Sequence, residues 1–118
     1  MWEIEYTDAF DLWWETLSED DQDSIVTSVE LLRQLGPSLP RPYADTLKGS
    51  RHSNMKELRS QSKGRPLRTF FAFDPRRSAV LLIGGDKTGD DRFYKKMIPI
   101  ADDLFDNHLD TLKKEGLP

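Results

Sequence analysis

Three short runs constrain the fold of this chain more than any other feature: NMKELR (residues 54–59), LRTFFAFD (67–74) and AVLLI (79–83), broken by QSKGRP and DPRRS. Apolar and aromatic runs of this length, bounded by Gly, Pro, Asp and Ser, read as strands joined by turns. The expectation is an antiparallel meander. In the middle run Leu67, Thr69, Phe71 and Phe73 share one face and Arg68, Phe70 and Ala72 the other. Neither face is fully polar, which suits a central strand.

Helical patterns flank the meander. WEIEYT alternates apolar and acidic residues as a short strand does. Asp8 is then placed to cap a helix in which Phe10, Trp13, Trp14 and Leu17 recur at helical spacing, and both tryptophans are expected in the core. Ser18, with Asp21 three residues on, forms a capping-box pattern for a second helix. Ile25, Val29, Leu32 and Leu35 make its apolar stripe, and Gly36-Pro37 is its stop. The two helices read as a hairpin. Prolines 37, 40 and 42 make the next stretch a structured loop. After the loop GGDKTGDD, helical spacing returns through Ile98, Ala101, Phe105, Leu109 and Leu112. Pro99 is expected to split this segment into a turn near 92–96 and a longer helix from about Ile98.

The order is strand, helix, helix, three strands, helix. It predicts one α+β domain over residues 1–118, with two N-terminal helices packed on a small antiparallel sheet and a C-terminal helix. A chain of 118 residues buries a modest core without staples. Cysteine is absent, so disulfides and thiolate metal sites are excluded. No apolar run approaches the roughly 20 residues of a membrane span. The opening residues lack the basic start and apolar middle of a signal peptide, so a cytoplasmic location without membrane association is expected.

The net charge of −4 conceals a strong segregation. Residues 1–47 carry eleven acids and two bases, a net of −9; residues 48–96 carry thirteen bases and five acids, a net of +8. The remaining residues, 97–118, carry five acids and two bases, a net of −3. Such a division suits an anion-binding face held on a sheet and offset by acidic helices. Strand alternation puts Lys56 and Leu58 on one side and Met55, Glu57 and Arg59 on the other. In a meander Arg68 lies close to Arg59, an arrangement relieved either by a bound anion or by a bridge through Glu57. Tyr94, Lys95 and Lys96 form an aromatic and basic cluster able to stack on a base and hold phosphates. Gly84-Gly85 reads as a plain strand-ending turn. His52 and His108 are too few and too isolated for a metal site, and none is assigned.

The segments LKGSRHSNMKELR, GRPLRTFFAFDPRRSAVLLIGGDKTG and RFYKKMIPIADDLFDNHL resemble, in order and spacing, those of the phage-derived HigB-like branch of the RelE/ParE toxin superfamily. The resemblance implies a microbial-ribonuclease-like fold and the toxin of a type II toxin–antitoxin pair. It further implies an endoribonuclease that cleaves messenger RNA at the 70S ribosome, needing no metal or other cofactor. The 2′-hydroxyl would attack its neighbouring phosphate, leaving a 2′,3′-cyclic phosphate, which only RNA permits. By motif, Arg59 and Arg68 correspond to the phosphate clamp and Tyr94 to the aromatic that stacks on or polarises the reacting nucleotide. Lys87 or Lys56 is the candidate base, and His52, Lys56, Arg65, Lys95 and Lys96 are candidate RNA-binding residues. No histidine lies between Gly84 and Lys96, so the general acid is unassigned. The implied partner is a HigA-type helix-turn-helix antitoxin, through which alone DNA would be reached. Two other readings stay open: a ParE-like toxin acting on DNA gyrase by protein contact, and an inactive RNA- or antitoxin-binding module.

Overall fold

The computed structural model describes residues 1–117. Strand β1 (Ile4–Tyr6) leads into helices α1 (Asp8–Glu15) and α2 (Glu19–Leu35), and a 3-10 turn (Gly36–Ser38) precedes β2 (Ala44–Thr46). Strands β3 (Lys56–Ser62), β4 (Arg65–Phe73) and β5 (Ala79–Asp86) follow, then helix α3 (Phe93–Lys114). The fold is α+β. Its five-stranded sheet has the order β1-β5-β4-β3-β2, with β3, β4 and β5 forming the expected meander and β4 at the centre.

The two faces of β4 divide the core. Leu67 and Phe71 join Phe10, Ile25, Leu32 and Leu58 under α1 and α2. Phe70 and Ala72 join Met55, Phe93, Ile98 and Phe105 under α3. Both faces of the sheet are therefore covered, and helices lie on opposite sides of it. A register irregularity between Phe70 and Phe71 accompanies this packing.

Several elements depart from the expectations. The sheet is mixed, because β1 pairs in parallel with β5. This pairing is long-range and leaves no trace in local spacing; Thr7 reinforces it by donating its hydroxyl to the Leu82 carbonyl at 2.7 Å. The same Thr7, and not Asp8, caps α1, its Oγ1 accepting from the Phe10 amide at 3.0 Å. Ser18 caps α2 as read, accepting from the Asp21 amide at 3.2 Å. The proline-rich loop ends in β2, where Ala44, Asp45 and Thr46 follow the last proline and lie in register with Leu58, Glu57 and Lys56 of β3. Helix α3 runs unbroken through Pro99. Pro99 and Lys95 are both exposed, so the missing amide falls on the side of the helix away from the core.

The double glycine is a pinch within β5. A Cβ at Gly84 would stand 2.1 Å from Cζ3 of Trp13, and one at Gly85 would stand 2.8 Å from Cε1 of Phe93. Any side chain there would collide with a ring from α1 or α3. Trp13 and Trp14 are half-buried against the α1–α2 core. Among the described residues no helix is long and apolar enough to cross a membrane.

Candidate active site

Arg59 on β3 and Arg68 on β4 are direct cross-strand partners. Both side chains rise on the α3 face, where strand alternation also puts Glu57. Two like charges in register repel unless an anion lies between them. Glu57 is that anion. Its Oε2 accepts from Arg59 Nε at 3.2 Å and Nη2 at 3.1 Å, and its Oε1 lies 3.5 Å from Arg68 Nε. The carboxylate is only 3 % exposed, against 12 % for the Arg68 side chain and 28 % for that of Arg59.

Helix α3 delivers the fourth member. Tyr94, in its first turn, donates its hydroxyl to Glu57 Oε1 at 2.6 Å. Burial pushes the Tyr94 phenol above its ordinary range, and the hydrogen bond and negative charge of Glu57 push it further, with Arg68 opposing. The phenol therefore holds its proton at neutral pH. Lys87, just beyond β5, places Nζ 5.2 Å from the centre of the Tyr94 ring. Asp45 on β2 approaches Arg59 Nη2 at 3.4 Å and Arg41 Nε at 3.5 Å. Arg68 has more to give: its Nη1 donates to the Leu67 carbonyl at 3.1 Å, while its buried Nε makes no aligned hydrogen bond.

Four expected site residues thus meet on one patch: Arg59, Arg68, Lys87 and Tyr94. The others are elsewhere. Lys56 shares the face of Leu58, under α1 and α2, so it is separated from Tyr94 by the sheet; of the two candidate bases only Lys87 is near the cluster. Arg65 is bound to Asp21 of α2 and, at 3.1 Å, to Asp86 of β5. His52 pairs with Asp106 at 2.7 Å and meets the Phe105 ring edge-on, 12 residues along α3 from Tyr94, or about 18 Å at 1.5 Å per residue. Lys95 is exposed on the first turns of α3, and Lys96 is paired with Asp90 at 2.5 Å.

Glu57 and Asp45 complete the site and were missing from the expected set, although the bridge through Glu57 was one of the two arrangements weighed. Its signal is the i, i+2 spacing of Glu57 and Arg59, which fixes a carboxylate and a guanidinium on one strand face. Asp45 had no comparable signal, lying in a strand the prolines obscured. Chemically, the patch combines two guanidiniums able to hold a phosphate, an ammonium, a protonated phenol and a carboxylate able to accept a proton. Among the described residues no group of three or more His, Asp or Glu side chains is placed to hold a metal ion.

Residues 12–106 match the family described as "Phage derived protein Gp49-like". A Mycobacterium tuberculosis protein described as "Putative toxin HigB2" is 42 % identical over 99 residues, covering 82 % of this chain and 49 % of the relative. The chain therefore spans about half the length of that relative. A second protein of the same organism, described as "Putative toxin HigB3", is 45 % identical over 98 residues, covering 82 % of this chain and 84 % of the relative. A solution structure of a conserved hypothetical protein from Helicobacter pylori is 16 % identical with a TM-score of 0.43, covering 73 % of this chain and 94 % of that one. With 95 contiguous residues matched and two relatives above 40 % identity, the chain belongs to the phage-derived Gp49-like family, alongside HigB-type proteins.

Proposed function

We propose that this protein is the toxin of a toxin–antitoxin pair and acts as a metal-independent endoribonuclease on messenger RNA at the ribosome. The names of the two mycobacterial relatives support the first part. The observation that carries the second is the convergence of Arg59, Arg68, Glu57, Tyr94 and Lys87 on one sheet face.

In this reading Arg59 and Arg68 hold the scissile phosphate and take up charge as the pentacoordinate phosphorus forms. Tyr94 and Glu57 act as a relay: the phenol oxygen takes the 2′-hydroxyl proton as its own proton passes to Glu57, 2.6 Å away. The 2′-oxygen then forms its bond to phosphorus and the bond to the 5′-oxygen breaks. Lys87, expected from the sequence as a base, here serves as the acid and supplies a proton to the departing oxygen. The products are a 2′,3′-cyclic phosphate and a 5′-hydroxyl, and the protons balance. The partner is an antitoxin of the HigA helix-turn-helix kind.

The test is induced expression of wild type and Arg68→Ala with primer extension on a reporter messenger. Growth arrest with codon-phased new 5′ ends, both lost in the variant, is the expected result. Arrest without cleavage would replace this reading with a protein target such as gyrase.

A further inference from the structure

A groove opens beside Arg59 and Arg68 that the cleavage chemistry leaves unused. It lies between α2 and the outer edge of β3 and has a volume of about 580 Å³, within the roughly 300–1,000 Å³ of small-ligand sites. Its origin is the shortness of β2. That strand covers β3 only from Lys56 to Leu58, and the last bond along this edge runs from the Arg59 amide to the Tyr43 carbonyl at 2.9 Å. The chain then leaves through Pro42. Alternation puts the backbone groups of Gln61 on the same edge as those of Arg59, and they face the groove.

The lining has a distinctive chemistry. Arg59 and Arg68 line it, and among the described residues no other charged side chain does. Tyr43, 48 % exposed, presents its ring at one wall. Thr27 of α2 donates its hydroxyl hydrogen to the Asp23 carbonyl at 3.0 Å and keeps oxygen lone pairs to accept, whereas Ser28 ties the helix to β3, lying 3.1 Å from the Arg59 carbonyl and accepting from the Ser60 hydroxyl at 2.8 Å. Gln61 contributes an exposed amide with both a donor and an acceptor. Beyond the arginines the slot is uncharged, with an aromatic wall, apolar surface from Leu31 and Pro42 and a few polar groups, and does not suit a second phosphate. It suits a nucleobase, which needs a π-face to stack on and hydrogen-bonding groups at its edge.

We propose that this groove is a nucleobase subsite of single-stranded RNA: it takes the base of a nucleotide whose phosphate lies on Arg59 and Arg68. Tyr43 stacks on the base, and Gln61 with the Thr27 hydroxyl reads its edge. The proposal rests on the ribonuclease reading and adds to it a structural source of sequence preference.

The test is calorimetric titration of purified wild type, Arg68→Ala, Tyr43→Ala, Tyr43→Phe and Gln61→Ala. The probes are inorganic phosphate, the four nucleoside 3′-monophosphates and a 2′-O-methyl tetranucleotide that cannot be cleaved. Wild type is expected to bind at least one nucleotide more tightly than phosphate, and the tetranucleotide at least as tightly as that nucleotide. Tyr43→Ala should weaken nucleotide binding about tenfold, the scale of one lost base stack, and leave phosphate binding unchanged. Tyr43→Phe should keep the affinity, and Gln61→Ala should flatten the ranking of the four bases. Unchanged nucleotide affinity in Tyr43→Ala, with phosphate binding lost in Arg68→Ala, would overturn the subsite and leave the phosphate clamp standing. Exclusion of the tetranucleotide while mononucleotides bind would overturn the RNA assignment. Phosphate affinity unaltered in Arg68→Ala would remove the ribonuclease reading and the subsite with it.

Discussion

Arg59 and Arg68 stand opposite one another on adjacent strands, and the same Glu57 carboxylate reaches both, with 3.1 Å to Arg59 Nη2 and 3.5 Å to Arg68 Nε. A buried carboxylate between two guanidiniums sets a balance that a substrate phosphate can shift. The phosphate offers the arginines a second anion on their exposed side, while Glu57 keeps them in place before it arrives.

Replacing that carboxylate exposes the balance. Glu57→Gln should lower folding stability by about 2 kcal/mol, because it leaves two in-register guanidiniums poorly compensated. Phosphate at matched ionic strength should restore part of the loss, and more than it adds to wild type, by binding only the folded variant. Urea midpoints with and without phosphate check both statements; equal phosphate effects on the two proteins would count against an anion site.

Tyr94→Phe keeps the ring over which Lys87 sits and removes only the proton carrier. Single-turnover RNA cleavage should fall about 10²- to 10⁴-fold, the usual scale of a lost acid–base group, while phosphate affinity holds. Because burial and Glu57 raise the phenol's pKa, the absorbance difference between wild type and Tyr94→Phe should show no phenolate until pH exceeds the ordinary tyrosine range.

The Arg65 hydrogen bond, with help from Ser62, holds Asp21 at a pKa of about 2, below its ordinary 3.8, against the opposing effect of burial. A lowered folded-state pKa stabilises the fold above the unfolded pKa, and this contribution fades as pH falls from about 4 to about 2. Asp21→Asn should therefore cost about 1–2 kcal/mol at pH 6 and almost nothing at pH 2. Denaturant unfolding of both proteins across that range measures the convergence.

Gly84→Ala puts a methyl group into the ring of Trp13. The ring is rigid and flanked by Phe10, so α1 must shift from the sheet, at a cost of about 2 kcal/mol. A lower thermal midpoint with red-shifted tryptophan emission is expected. An unchanged emission maximum would mean that the backbone absorbs the strain instead.

The meander, the two α1–α2 helices and the pairing of Arg59 with Arg68 were legible because each depends on local spacing. Alternation assigns a strand residue to a face, turn residues bring the next strand back alongside, and Ser18 announces its helix. The same alternation separated Lys56 from Arg59, although only the covered sheet shows what that separation means for a base. Where local rules misled, the deciding contact was distant in sequence. Pro99 passes through α3 because its side of the helix faces water, and Gly84-Gly85 continues a strand because Trp13 and Phe93 press on it from opposite helices.

By itself the sequence determined the α+β class, a meander that brings two arginines close together, and the division of charge between the first 47 residues and the next 49. Only the tertiary structure decided which cations share a site. Arg65 and His52 lie in the same basic segment of the sequence as Arg68, yet each is held by carboxylates from another element, Asp21 and Asp86 for one and Asp106 for the other. Tyr94 joins the arginines because α3 crosses the sheet face on which Glu57 stands. Spacing encodes the direction of a side chain along one element, whereas a binding site is a meeting of several, fixed by which helix the closed core lays on which face.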